Sequence, residues 1–92
     1  MRTKTSPEDS ILLADGTTRY TKPKVLAKGY MLDELQAIVG GLIEIVYLPH
    51  SQIMVVNEEG LLKGLPYNVM ASVLAGQHIV GDVLVTHTKR VK

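Results

Sequence analysis

Blocks of apolar residues separated by turn residues run along the chain, and their spacing predicts five strands and two helices. The first block, SILLADGTTRYT at 10–21, reads as two short strands with a turn at Asp15 and Gly16 between them. Glycine tolerates the positive φ of a tight turn, so Asp-Gly between two such runs is typical of a β-hairpin. Pro23 has no amide hydrogen to donate to a ladder, and we expect it at the end or edge of the second strand.

The middle of the chain predicts a helix followed by a strand, a turn and a returning strand. In MLDELQAIVGG, at 31–41, Leu32, Leu35 and Val39 recur at helical spacing, and the Gly pair supplies the C-terminal stop. The β-branched run LIEIVYLP at 42–49 is ended by its proline. PHSQ then turns the chain and IMVVN returns it.

The last third of the chain predicts a second, shorter helix and a final strand. Asn68 precedes VMASVLA, whose apolar residues form i,i+4 pairs, and Gly76 ends the run. An Asn in that position can accept a hydrogen bond from a free amide of the first turn. HIVGDVLVTH then reads as a strand, in which Gly81 indicates a bulge or a close backbone approach.

The element order ββ-α-ββ-α-β predicts an α+β fold, a small single-layer and mostly antiparallel sheet of about five strands with both short helices on one face. We expect a single domain over 1–92, with a loose lead-in at 1–10 and a solvated basic tail at 87–92. The place of the N-terminal hairpin in the sheet stays open, because the number of strands does not give their pairing order.

Composition narrows the class of protein. The chain has 92 residues, 46% of them hydrophobic, so one small domain can bury an aliphatic core and gains stability from self-association; a homo-oligomer is expected. There is no cysteine, no apolar leader and no run long enough to cross a bilayer, which favours a cytoplasmic protein without a membrane partner. The net charge of +1 is too balanced for a dedicated duplex-DNA binder, so we expect no nucleic-acid partner.

The side chains that could support catalysis are not at catalytic spacings. His50, His78 and His87 do not stand at short metal-ligand spacings, so we expect neither a metal site nor a cofactor. Glu58 and Glu59 would point to opposite faces of an extended chain and could not converge on one substrate atom. We therefore expect a binding protein and not an enzyme.

One loop stands out as a candidate site. VNEEGLLKGLPYN, at 56–68, leaves a strand and delivers Tyr67 and Asn68 to a helix start. Tyr offers a flat face for a base and Asn offers both a donor and an acceptor. The alternative is that Asn57 and Asn68 only cap turns, Pro66 stiffens the loop and the Tyr ring packs over the core.

The segments VGGLIEIVYL, MVVNEEG, LPYN and GDVLV, in this order and spacing, resemble a family of small bacterial and phage-borne proteins of unknown function, over roughly residues 30 to 86. The resemblance implies a phage accessory protein for immune evasion. Small size, expected oligomerisation and the lack of catalytic machinery favour kinship with anti-CBASS sponges, which sequester a cyclic dinucleotide or related nucleotide signal without cleaving it. Asn57, Lys63, Tyr67 and Asn68 could supply the base and phosphate contacts of such a small-molecule nucleotide site, with Arg19 or Tyr20 of the hairpin covering the ligand.

A second function stays open beside the nucleotide sponge. A protein–protein inhibitor or regulator of a host factor would use an exposed sheet edge or an apolar face and would have no small-molecule ligand. An enzyme acting on nucleotides and nucleic-acid binding through the basic ends are further alternatives, and the catalytic geometry for the first is missing.

Overall fold

The computed structural model describes residues 8–91 and contains one sheet and two α-helices. The sheet order is β2-β1-β5-β4-β3, and every pair of neighbours is antiparallel. The predicted α+β class, with a five-stranded sheet and two helices, is confirmed. The elements are β1 (Asp9–Leu12), β2 (Thr18–Thr21), α1 (Leu32–Val39), β3 (Ile43–Tyr47), β4 (Gln52–Asn57), α2 (Val69–Ala75) and β5 (Val83–His87), with 3-10 turns at Leu26–Lys28 and Thr88–Arg90.

The two helices lie on opposite faces of the sheet, which corrects the prediction of a single helical face. Along β4, Ile53 and Val55 pack in the cluster that contains Leu35 of α1, whereas Met54 packs with Ala71 of α2 on the other side. Successive strand residues point to opposite faces, so a strand covered on both sides reads as a continuous apolar run. IMVVN is such a continuous apolar run, so the sequence itself indicated that β4 is covered on both faces of the sheet.

Helix α1 begins and ends where the sequence predicts. The Glu34 carboxylate accepts hydrogen bonds from the backbone amides of Met31 (2.9 Å) and Lys24 (3.0 Å) at its first turn. Both hydrogen bonds lower the pKa of the Glu34 carboxyl below its ordinary value, and the bond from the Met31 amide has the larger effect. Gly40 ends the helix in the left-handed conformation, with φ of 81°. Leu35 and Val39 are buried against the sheet, so α1 is held by its apolar stripe.

The N-terminal hairpin joins the sheet through β1, which pairs with β5. In its turn the Asp15 carboxylate accepts from the Thr17 amide (2.9 Å) and hydroxyl (2.6 Å), which stabilises the predicted Asp-Gly turn. Strand β1 starts at Asp9, two residues inside the predicted lead-in of 1–10. Residues 1–7 of that lead-in lie outside the described part of the chain.

In the described part of the predicted basic tail at 87–92, His87, Thr88 and Lys89 are exposed, whereas Arg90 and Val91 are half-buried and dock on the body of the protein. Arg90 Nη1 lies 2.7 Å from Asp9 Oδ2, and the Arg90 carbonyl accepts from the Tyr30 amide at 2.7 Å. Val91 forms a parallel bridge with Tyr30. Charge alone predicted a solvated tail, and at Arg90 the partly buried carboxylate of Asp9 changed this outcome.

Candidate functional site

Asn57 is buried at the end of β4, where its side chain is committed to the fold. Its Nδ2 donates to the Val39 carbonyl at 3.0 Å, and its Oδ1 accepts from the Glu59 amide at 2.8 Å. The first bond satisfies a carbonyl in the last turn of α1, where helix carbonyls lack partners within the helix. Asn57 therefore links β4, α1 and the loop. This is the structural role that the alternative interpretation of the loop gave to it, in which the asparagines cap turns.

Asn68 is the N-cap of α2 and is 1% exposed. Its Oδ1 accepts from the Ala71 amide at 3.0 Å, as predicted for this position. Its Nδ2 donates to the carbonyls of Leu12 (2.9 Å) and Gly81 (2.8 Å). Both amide hydrogens and the oxygen are therefore used inside the protein.

Lys63 lies in the middle of the same loop, beside the C-terminus of α1. Its ammonium group is 3.9 Å from the Glu59 carboxylate, one helical turn earlier in sequence. A Cβ on Gly41 would lie 2.7 Å from Lys63 Nζ and 3.1 Å from Asn57 Nδ2, so the two side chains meet over this glycine. A cation near the carboxyl end of a helix interacts favourably with the helix dipole.

Tyr67 is about half exposed and stacks on His78, with ring centroids 4.8 Å apart and an angle of 21° between the planes. The backbone brings the rings together, since Tyr67 forms an antiparallel bridge with Val80. This ring pair is the feature of the predicted loop that most resembles a ligand surface, because exposed aromatic faces can stack on planar groups. His78 was not among the predicted binding residues.

Arg19 and Tyr20 are neighbours on the edge strand β2, so their side chains point to opposite faces. Arg19 pairs with Ile11, which packs in the α1-side cluster. The structure brings Asn57 and Lys63 together over Gly41, whereas the side chain of Asn68 is buried with its own partners Leu12, Ala71 and Gly81. Arg19 and Tyr20 are on opposite faces of the sheet. Ligand binding by these residues stays a prediction.

A groove of about 360 Å³ lies on the α2 side of the sheet, next to the edge strand β3. Its strand surface is made by Val46 and Val56, and Leu61 and Leu62 of the loop form part of its wall. Leu61 and Leu62 are 71% and 89% exposed, although two adjacent leucines in a polar loop have no local reason to face solvent. This pair is the sequence signal that could have identified the groove.

The groove carries negative charge. Glu44, on β3, and Glu58, at the start of the loop, belong to its lining, as does His78. No lysine or arginine lines it among the described residues. An apolar groove with two carboxylates attracts a cationic group that carries apolar neighbours and repels a phosphate.

The histidines and acids do not form a metal centre in the described residues, where no group of three potential ligands is close enough to hold an ion. His50 adopts a positive φ of 63° in the β3–β4 turn. His87 Nδ1 accepts from the Lys89 amide at 3.0 Å and caps the last 3-10 turn. Two of the three histidines therefore have turn positions.

Comparison with protein-family models matches residues 9–91 to the domain of unknown function DUF3846. The chain belongs to this family. The DUF3846 match covers β1 to the docked tail, so the hairpin and tail are parts of the family domain, beyond the span of 30 to 86 on which the resemblance rested. Curated proteins gave no significant match. Solved structures gave none either.

The described part of this DUF3846 domain contains no helix with the length and hydropathy that crossing a bilayer requires. Its two α-helices span eight and seven residues.

Proposed function

We propose that this protein acts by binding a partner protein and regulating or inhibiting it, and that the groove beside β3 takes a basic, extended segment of that partner. The observation that carries the proposal is the composition of the groove, which combines apolar side chains with Glu44 and Glu58 and, among the described residues, has no lysine or arginine. The proposal includes no catalytic step.

The edge strand gives the partner segment a place to bind. Within residues 8–91, β3 pairs with β4 alone, so one side of its backbone has no strand partner. An extended peptide can add to such an edge by main-chain hydrogen bonds, and its alternate side chains then reach one face of the sheet. On that face of β3 are Glu44 and Val46, which both line the groove.

Charge gives the segment its specificity. Glu44 and Glu58 are both exposed, so each retains its water until a partner arrives. A Lys or Arg side chain can lie along the apolar wall with its methylene groups and reach a carboxylate with its charged end. We therefore expect basic and large apolar residues two positions apart in the bound segment, so that both side chains reach the face that carries the groove.

The test is a selection from a displayed library of random linear peptides, with the purified 92-residue chain as bait. We expect enrichment of Lys or Arg two positions from large apolar residues, and binding of the selected peptide weakened about tenfold by Glu44→Lys. Asp33→Lys is the matched control, since Asp33 is an exposed carboxylate on α1, on the other face. Enrichment of acidic peptides, no enrichment, or equal loss in both variants would overturn the proposal.

Sequestration of a cyclic dinucleotide, as an anti-CBASS sponge, is a second candidate function. The exposed stack of Tyr67 on His78, at the border of the groove, supports it, because bases stack on aromatic rings. The carboxylates of the groove oppose it, because they would repel the phosphates. Incubation with cyclic di- and trinucleotides, filtration and heat release of bound ligand distinguishes the two functions. Intact nucleotide recovered only after denaturation, and lost in Tyr67→Ala, would favour the sponge.

A further inference from the structure

Helix α2 turns its small residues inward and its large apolar residues outward. Ala71 and Ser72 are buried against the sheet, and Ala75 packs beside them. The outward residues are large, and each is exposed by 44% or more: Val69 (59%), Met70 (44%), Val73 (78%) and Leu74 (47%). The i,i+4 pairs that predicted the helix are thus on its solvent side. A helix that packs only on its own sheet has the reverse arrangement.

The stretch of sequence that contains this outward face carries no formal charge. From Gly64 to Gly81 the sequence contains no Lys, Arg, Asp or Glu, in a chain whose charged residues make up 21%. Exposed helical surfaces of monomeric domains normally carry charged residues, which keep them soluble and separate. We call the outward residues Val69, Met70, Val73 and Leu74, together with the neighbouring Tyr67, the α2 surface.

We infer that the α2 surface is the contact between two copies of this chain, related by a two-fold axis. In a two-fold interface the same patch meets itself, so any net charge on the patch would face a like charge. The α2 surface has none and can meet itself without that cost. A different protein partner would instead be distinguished by complementary charges, for which the α2 surface offers no counterpart.

The size of the α2 surface fits a weak dimer. From their exposed fractions, its five side chains present on the order of 500 Å² per copy, so a pair would cover about 1,000 Å², near the lower bound for specific interfaces. Apolar patches of this size on a small domain commonly mark interaction sites. We therefore expect a dimer that dissociates on dilution, and we expect that the groove beside β3 is not part of the dimer contact.

The experiment measures the mass of the full chain by sedimentation over a range of concentrations. We expect a dimer that dissociates on dilution, and a dissociation constant about tenfold or more higher in Val73→Asp, which would place a charge in an apolar contact. The matched control is Leu32→Asp, since Leu32 is 58% exposed on α1, on the opposite face of the sheet. A wild-type chain that is monomeric throughout, or equal weakening in both variants, would overturn the inference.

A second measurement decides the matter if Val73→Asp does not fold. The chain has no cysteine, so Val73→Cys and Leu32→Cys each introduce one unique thiol. With a short bis-maleimide reagent we expect a covalent dimer from Val73→Cys and little from Leu32→Cys. Equal crosslinking of the two variants would show that the α2 surface is not the contact.

Discussion

The side-chain amide of Asn68 donates to the backbone carbonyl of Leu12 at 2.9 Å, which joins the start of α2 to the end of β1 across 56 positions of sequence. The same nitrogen donates to Gly81, just before β5, and the oxygen accepts from Ala71 in the helix. One buried side chain thus holds three elements in register. Buried polar groups are costly to leave without partners, so this residue concentrates stability.

We predict that Asn68→Ala lowers the free energy of unfolding by about 3 kcal/mol, because it removes the helix cap and leaves two buried carbonyls without donors. Urea unfolding followed by circular dichroism measures the change. Gln77→Ala, at an exposed amide side chain, is the control and should stay within about 0.5 kcal/mol of the parent. A small effect of Asn68→Ala would show that water replaces these hydrogen bonds.

Asp9 accepts hydrogen bonds from the Tyr30 hydroxyl and from Arg90, both at 2.7 Å, and so connects β1 to the C-terminal turn. We predict that Asp9→Asn destabilises the protein by about 2 kcal/mol, because a neutral acceptor leaves the partly buried guanidinium without its counter-charge. The measurement is thermal or urea unfolding at neutral pH. Asp33→Asn, at an exposed carboxylate, should change little, and equal effects would contradict a special role for Asp9.

Stability should fall in alkali because of Tyr30. The pKa of its hydroxyl is raised well above the ordinary 10.0. Burial is the main cause, and the hydrogen bond to Asp9 is the second. Above pH 10.0 the unfolded chain therefore loses this proton while the folded protein keeps it, and folding loses up to about 1.4 kcal/mol per pH unit from this group.

Tyr30→Phe isolates this titration from that of the other tyrosines and lysines. We predict that the variant is less stable than the parent at neutral pH and that the difference shrinks between about pH 9 and 11, where the unfolded tyrosine ionises. Urea unfolding of both proteins across this range is the measurement. A difference that stays constant with pH would mean that the hydroxyl titrates alike in both states.

Gly29 should resist substitution more than a glycine in an open turn. Its φ is 74°, and a Cβ would lie 2.5 Å from the Arg90 carbonyl oxygen, the acceptor of the Tyr30 amide. We predict that Gly29→Ala costs about 2 kcal/mol more than Gly76→Ala, because Gly29 has a ψ of −167° that only glycine adopts readily, whereas Gly76 is in the left-handed helical region (φ 70°, ψ 24°) with open space around it. Thermal unfolding compares the two. Equal losses would indicate that the backbone conformation of Gly29 is no more restrictive than that of Gly76 and that the tail moves aside.

Most boundaries of the elements could be predicted from the sequence, since they depend on neighbouring residues; the start of β5 is an exception, at Val83 and not at His78. The Asp15-Gly16 turn, the end of α1 at Gly40 and the Asn68 cap are each made by contacts within a few positions. Residue type and spacing are enough to specify such contacts. The candidate loop was also located correctly as a segment that connects β4 to α2.

The tertiary structure decided which faces meet, and this changed the functional interpretation. The sequence alone could not show that the side-chain amides of Asn57 and Asn68 donate hydrogen bonds to backbone carbonyls 18 and 56 positions away. Nor could it show that α2 packs through Ala71 and exposes Val73, since helical periodicity identifies a stripe but not its partner. Local patterns are set by neighbours along the chain. Free polar groups and open surfaces remain where distant segments have not covered them.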